Sequence, residues 1–279
     1  MPPQSQSRLG KTSLGEEVTH RREKEMKLSL IQFLIACPLC FLAGFVDSIG
    51  GGGGLISLPA FMFAGLPAHM AIGTNKVQSF LSCSMSTFRM WKSKRIVLGL
   101  AVPSVIGAVI GSALGAKLNT LVSEKFLSYA MIVILPIIAF VVFNKKVFAE
   151  GDETVVPAAD RKTCLRMALV SLVVGLYDGF YGPGAGTFLI IGFVVIAKLD
   201  VRYANGHAKV ANLATSISSM VVYLLNGQAV VLLGLAAGIC AMAGSYIGSG
   251  LMLKNGTKIV RPIIILVIIL LMIKIITGF

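Results

Sequence analysis

Long uncharged stretches are the feature that most constrains the fold of this chain. No charged residue occurs between Lys209 and Lys254, and Asp47 carries the only formal charge between Lys27 and Lys76. A transmembrane helix needs about 20 predominantly apolar residues, so each stretch is long enough for two crossings. Of the 279 residues, 56% are hydrophobic and 13% are charged, a balance too apolar for a soluble domain. The sequence therefore predicts an all-α integral membrane protein that crosses the cell membrane several times.

The net charge of +13 does not indicate a nucleic-acid partner. The basic residues lie in short segments between the apolar stretches, where such residues act as orientation signals that favour the cytoplasmic side. We therefore expect the lipid bilayer, and no nucleic acid, as the partner of this surface.

Ten apolar segments follow one another along the chain. Eight are about long enough for full transmembrane helices: 28–49, 71–90, 96–116, 126–143, 163–181, 204–225, 229–253 and 259–278. The other two, 55–66 and 187–197, hold about a dozen residues each, which is the length of a half-membrane or re-entrant segment. Each short segment follows a glycine-rich break, and this coincidence indicates a repeat.

Three motifs occur twice, in the same order and at nearly constant spacing. The pairs are Gly44-x-x-Asp47-x-x-x-Gly51 with Gly175-x-x-Asp178-x-x-x-Gly182, Gly73-Thr74-Asn75-Lys76 with Gly206-His207-Ala208-Lys209, and Gly111-Ser112-x-x-Gly115 with Gly244-Ser245-x-x-Gly248. The offset is 131 residues for the first pair and 133 for the other two. We therefore predict two homologous membrane repeats, 28–146 and 163–279, preceded by a polar tail, 1–27, and joined by a polar linker, 147–162.

The charges of the loops favour inverted repeats. Four basic residues lie in the loop 89–95, whereas its counterpart 226–228 has none; the next loop, 254–261, is more basic than its counterpart 117–125. Because basic loops prefer the cytoplasm, equivalent loops are expected on opposite sides of the membrane. If the two short segments re-enter instead of spanning, each repeat has four crossings and the repeats run parallel.

The repeated motifs resemble the sulfite exporter TauE/SafE family of membrane transporters, over nearly the whole chain from about residue 30. The resemblance rests on the two G-x-x-D-x-x-x-G breaks and on the Gly73-Thr74-Asn75-Lys76 stretch. The second repeat keeps only Gly206 and Lys209 of that stretch. The resemblance implies transport of sulfite, a sulfonate or a related small organosulfur anion.

Five consecutive glycines interrupt the apolar sequence at 50–54, and the sequence Gly-Pro-Gly-Ala-Gly interrupts it again at 182–186. A helix cannot continue through them, because glycine costs about 1 kcal/mol and proline about 3. Broken backbone at membrane depth is tolerated where it lines a cavity, and the helix start that follows can bind an anion. The candidate binding residues in the two breaks are Gly52, Gly53, Gly54, Gly184 and Gly186. The alternative is close helix packing, which is typical of the four-residue spacing of Gly107, Gly111 and Gly115.

Two lysines, Lys76 and Lys209, begin long apolar segments at the same place in each repeat. An ionisable group within a span is costly and is by default a candidate for function. With an anionic substrate, the two lysines would supply counter-charge from both repeats. The neighbouring polar residues Thr74, Asn75, Gln78 and Asn212 are candidates for the same site. The alternative is a lysine that extends its ammonium to the membrane interface.

Asp47 and Asp178 each end a long apolar segment just before a break. They are candidates for proton coupling or for pairing with the lysines, and the alternative is a helix cap for the short segment that follows. His207 can titrate near neutral pH and is a further candidate for coupling or gating.

The function predicted is a secondary transporter for a small anion that works by alternating access between the two repeats. No metal-ligand spacing, Walker motif or nucleophile with a nearby base is present, so we expect no enzyme activity, metal or cofactor. The alternatives are an anion channel and a non-transport membrane assembly protein. Proton coupling and assembly into a homo-oligomer are left open.

Overall fold

The structure, a computed structural model, describes residues 30–123 and 156–255, and every regular element within these ranges is an α-helix. The helices are α1 (Leu30–Gly50), α2 (Gly54–Phe63), α3 (Ala68–Lys92), α4 (Leu98–Thr120), α5 (Arg161–Phe180), α6 (Ala185–Val195), α7 (Val201–Leu225) and α8 (Val231–Asn255). One long, one short and two long helices thus follow each other twice. The predicted segments 126–143 and 259–278, the tail 1–27 and most of the linker 147–162 lie outside the described residues.

Five of these helices are long and apolar enough to cross a membrane: α1, α4, α5, α7 and α8. The helix α3, with 25 residues, has the length but is more polar, since it carries buried polar side chains such as Thr74, Lys76 and Ser82. These side chains are shielded because α3 packs against α2, α7 and α8. The described residues therefore form a multi-pass, all-helical membrane protein, as predicted.

The two glycine breaks form as predicted, and a short helix follows each. Gly51 and Gly182 have φ angles of +80° and +104°, in a region that residues with a side chain rarely adopt. α2 and α6 then run for only 10 and 11 residues. At 1.5 Å per residue each is about 15 Å long, roughly half of the hydrocarbon core of a bilayer.

Glycines bring the two halves of the chain into close contact. α4 packs against α5, and α8 packs against α1. A Cβ atom on Gly111 would lie 2.2 Å from the carbonyl oxygen of Leu172, and one on Gly244 would lie 2.0 Å from that of Phe41. The packing role predicted for the series that includes Gly111 is therefore confirmed. Because the last described helix of each half packs on the first helix of the other, the two breaks come to lie side by side.

Candidate functional site

A small polar cavity lies where the two glycine breaks meet. It encloses about 30 Å³, which is room for one or two water molecules. Both halves of the chain line it: Asp47, Gly51, Gly54, Asn75, Lys76, Ser79 and Cys83 from the first, and Asp178, Gly182, Ala185, Gly186, Asn212 and Ser216 from the second. The cavity therefore has contributions from α1, α2 and α3 and from their counterparts α5, α6 and α7.

Two buried ion pairs cross between the halves at this cavity. The ammonium of Lys76 lies 2.8 Å from Oδ1 of Asp178, and the ammonium of Lys209 lies 3.2 Å from Oδ2 of Asp47. Each lysine also donates to the backbone carbonyl of its aspartate. The lysine side chains are 2% and 0% exposed, so protein groups replace the water that would otherwise solvate the charges. Two cations and two carboxylates leave this group of side chains neutral as a whole.

Asp47 combines the two roles that its sequence position left open. Its Oδ2 pairs with Lys209, while its Oδ1 accepts a hydrogen bond from the backbone N–H of Gly53 at 3.3 Å. Gly53 precedes α2 directly, so the carboxylate holds the start of the short helix as well as the lysine. A Cβ on Gly53 would lie 2.5 Å from the Cβ of Asp47, and this close approach explains the glycine.

The first turns of the two short helices reach the cavity. Gly54 begins α2, and Ala185 and Gly186 begin α6. Their backbones approach so closely that a Cβ on Gly186 would lie 2.7 Å from the Cα of Gly51. The N-terminal ends of both helices, with their partial positive charge, therefore face a shared space between the breaks. Of the predicted break residues Gly54 and Gly186 line the cavity.

Gly52, Gly53, Gly184 and Gln78 do not line the cavity. Gly52 and Gly53 lie between Gly51 and the start of α2, and Gly184, at φ +78°, precedes α6. Gln78 is 3% exposed on α3, and its side-chain oxygen accepts a hydrogen bond from Ser79.

Thr74 and His207 occupy equivalent places and make equivalent contacts away from the cavity. The hydroxyl of Thr74 accepts the backbone N–H of Val230 at 2.9 Å, and Nε2 of His207 accepts the backbone N–H of Val97 at 3.3 Å. Each contact joins one half to the other, at the residue directly before the last described helix: Val230 before α8 and Val97 before α4. For His207 this geometry describes an anchor for a loop, and the histidine is not among the residues that line the cavity.

Sequence analysis named Asn212 but missed three other groups of the cavity, Ser79, Cys83 and Ser216. Ser79 and Cys83 follow Lys76 at three and seven positions, and Asn212 and Ser216 follow Lys209 at the same spacing. Residues three and seven positions apart share one face of a helix. A search for polar residues at this spacing after each lysine identifies all four positions.

The arrangement can bind a small anion. Two ammonium groups and two helix N-termini supply positive charge. Oδ1 of Asn212 has no hydrogen-bond partner among the described residues, which leaves a buried acceptor at the cavity for a water or a protonated ligand to satisfy. Within residues 30–123 and 156–255, no three His, Cys, Asp or Glu side chains are grouped so as to hold a metal ion.

Membrane-spanning helices around a buried, charged cavity between broken helices are the features of a membrane transporter. The chain belongs to the sulfite exporter TauE/SafE family, whose model matches residues 36–275.

Relatives with curated descriptions are named as transporters. The chain is 32% identical over 257 residues to "Probable membrane transporter protein ORF9" of a Sinorhizobium species, an alignment that covers 91% of this chain and 95% of that protein. It is 31% identical to a "Probable membrane transporter protein" of Haemophilus influenzae, with 84% and 91% covered. It is 30% identical to "Probable membrane transporter protein YfcA" of Escherichia coli, with 82% and 84% covered. No solved structure gives a significant match. The family and these names indicate a membrane transporter rather than an enzyme.

Proposed function

We propose that this protein is a secondary transporter for a small anion such as sulfite, a sulfonate or a related organosulfur compound. The observation that carries the proposal is the pair of buried Lys–Asp bridges, Lys76–Asp178 and Lys209–Asp47, which meet at one cavity between two broken helices. Buried charges are costly unless they are paired. If a competing anion can open these ion pairs, the buried charges serve to bind substrate as well as to hold the fold together.

The anion would bind by competing with the aspartates for the lysines. An oxyanion in the cavity can accept hydrogen bonds from Lys76, Lys209 and the N–H groups that begin α2 and α6. Each aspartate that loses its lysine becomes a buried, unpaired carboxylate, which is unfavourable. A proton taken up together with the anion removes that penalty, and this balance of charge supports proton coupling through Asp47 or Asp178.

The transport cycle proposed is alternating access between two inverted repeats, 28–146 and 163–279, joined by the linker 147–162. Both ion pairs and both long helix contacts, α4 with α5 and α8 with α1, join one half of the described chain to the other. Movement of one repeat against the other would therefore act directly on the bound anion.

The small size of the cavity supports a carrier over a channel. About 30 Å³ holds one or two water molecules, so the walls must separate before an oxyanion enters. A site that opens to admit its ligand and closes around it predicts slow, saturable flux. A channel requires a continuous aqueous path and would conduct at far higher rates.

The test has a binding arm and a transport arm. The purified protein is melted with sulfite, sulfoacetate, thiosulfate, sulfate or a simple carboxylate, and its true ligand should raise the melting temperature in proportion to the logarithm of its concentration. Proteoliposomes then report flux of that anion. Lys76→Ala and Lys209→Ala should lose stabilisation and flux, whereas Lys117→Ala, at an exposed position of α4, should keep both. Normal flux in both lysine variants contradicts the proposed site, and single-channel conductance contradicts the carrier.

A further inference from the structure

Lys94 adopts a left-handed backbone conformation. The equivalent residue in the second half, Gly227, is a glycine. Both residues end a long helix in the left-handed region, Lys94 at φ 57° and Gly227 at φ 65°. The surrounding hydrogen bonds are also the same: Lys94 N–H donates to Trp91 and Arg95 N–H to Met90, as Gly227 N–H donates to Leu224 and Gln228 N–H to Tyr223. Glycine is the usual residue here because any Cβ is disfavoured. The cost of this conformation at Lys94 is a reason to look for what its side chain contacts.

The four basic side chains of this loop divide into two classes. The guanidinium of Arg89 lies 4.3 Å from the ring centre of Tyr246, and that of Arg95 lies 5.5 Å from the ring centre of Tyr203. These two arginines are thus fixed against other helices. Lys92 and Lys94 are exposed, and neither pairs with a carboxylate of residues 30–123 or 156–255.

A surface groove adjoins the two lysines. It has a volume of about 370 Å³ and is lined by Trp91, Lys92, Lys94, Ile96 and Leu98. Trp91 and Leu98 are each 65% exposed. Tryptophan is enriched at the boundary between the headgroups and the acyl chains of a bilayer. The groove therefore places two positive charges beside a side chain that is typical of this boundary.

An apolar stripe continues from the groove along α4. Leu98, Val102 and Ile106 are exposed and follow each other at four-residue spacing, so they lie on one face of the helix. α4 begins at Leu98, and the partial positive charge of its N-terminus adds to that of the lysines. Cationic groups at one end and an aliphatic track at the other match the two parts of a phospholipid.

We propose that this groove binds an anionic phospholipid of the surrounding bilayer. Lys92 and Lys94 contact the phosphate of the headgroup, Trp91 lies beside the glycerol backbone, and an acyl chain follows the stripe on α4. The same loop contacts α7, because the carbonyl of Arg95 lies against Gly206 and the N–H of Val97 bonds to His207. A lipid held here therefore stabilises a loop that supports the helix of Lys209. The site does not depend on the identity of the transported anion.

Trp91 provides the assay, because it is the only tryptophan in the 279 residues. The protein is reconstituted in a fixed mixture of phosphatidylglycerol and phosphatidylcholine, with bromine on the acyl chains of one lipid or of the other. Bromine quenches the fluorescence of a nearby tryptophan. We expect stronger quenching when phosphatidylglycerol is brominated, with a local enrichment of at least about fivefold, since each surface lysine near an anionic membrane contributes about that factor.

Lys94→Gly is the decisive variant, because glycine is the residue that the second half uses at this place. It should fold at least as well as the parent, as judged by its melting temperature, and should lower the preference for phosphatidylglycerol about fivefold. Lys92→Gln should lower it similarly, whereas Lys117→Gln, near the other end of α4, should not.

Equal quenching by the two brominated lipids in the parent protein overturns the proposal, as does an unchanged preference in Lys94→Gly. Loss of the preference on addition of inorganic phosphate, but not of chloride at the same ionic strength, would assign the groove to a soluble phosphate compound and also overturn it. None of these three results depends on the anion flux through the Lys76 and Lys209 site, so the two proposals fail separately.

Discussion

Removing one charge from a buried ion pair and then removing both separates the stability of the site from its function. Lys76→Met keeps the length of the side chain but leaves Asp178, whose side chain is 9% exposed, without its cation 2.8 Å away. Breaking a buried pair in this way costs about 3–5 kcal/mol. At about 2–4 °C per kcal/mol for a large domain, the melting temperature should fall by roughly 6–20 °C.

The double variant Lys76→Met/Asp178→Asn removes both charges and preserves the shape of the aspartate. Replacement of a whole buried pair is often nearly neutral for stability, so this variant should recover most of the lost melting temperature. The coupling between the two positions, obtained from the parent, both single variants and the double variant, should exceed about 1.5 kcal/mol. Transport in proteoliposomes should stay absent in the double variant, because the anion has lost the ammonium that binds it.

Two results would refute this reasoning. If Lys76→Met has the same melting temperature as the parent, then Asp178 without its lysine is either solvated or neutral. Transport by the double variant at the rate of the parent shows that Lys76 serves the fold alone. Recovery of melting temperature without recovery of transport is the combination that supports an ion pair opened by the substrate.

Three further predictions concern the framework of the site. Gly111→Val should abolish folded protein in detergent, as judged by size-exclusion chromatography, because its Cβ would lie 2.2 Å from a backbone oxygen of α5. His207→Thr should keep both the transport rate and its pH profile, because Thr74 makes the equivalent contact in the other half. The hydroxyl of Thr163 lowers the pKa of Asp160, so the stabilisation from this helix cap should be present above about pH 4 and be lost as the pH falls through the lowered value. Asp160→Asn should remove this acid-dependent part of the melting curve.

Each of these predictions has an outcome that contradicts it. A folded Gly111→Val protein would show that α4 and α5 can separate. Leu114→Val, at an exposed position of the same helix, is its control. A shifted pH profile in His207→Thr would assign the histidine to proton coupling. An unchanged difference in melting temperature between the parent and Asp160→Asn on either side of pH 4 would show that Asp160 contributes no acid-dependent stability.

The helices and the breaks were predictable because their causes are local. Hydrophobic length identifies a membrane helix, and contiguous glycines end one whatever surrounds them. The predicted segment 96–116 corresponds to Leu98–Thr120, and the short segment 187–197 corresponds to Ala185–Val195. The membership of the TauE/SafE family was predictable for the same reason, since its motifs are contiguous in sequence.

The pairing of charges was not predictable, because it depends on how the two halves pack. Sequence placed Lys76 and Lys209 in one site with Asp47 and Asp178 but did not assign partners. In the structure each lysine bonds the aspartate of the other half. Sequence also gave no signal for Lys94, since rules for helix ends expect glycine where the chain turns left-handed. That departure became visible only when its φ angle could be compared with that of Gly227.

The crossed pairing has a consequence for how the two halves can differ. Loss of Asp47 would leave Lys209, in the opposite half, buried without its carboxylate. A change in either half therefore leaves an unpaired buried charge in the other. The neutral groups of the cavity carry no such constraint, and there the halves do differ: Ser79 stands where the other half has Asn212, and Cys83 where it has Ser216. In the proposed carrier, charge attraction therefore comes from the parts of the site that the halves share, whereas the shape and hydrogen bonding that would distinguish one anion from another come from the parts that they do not.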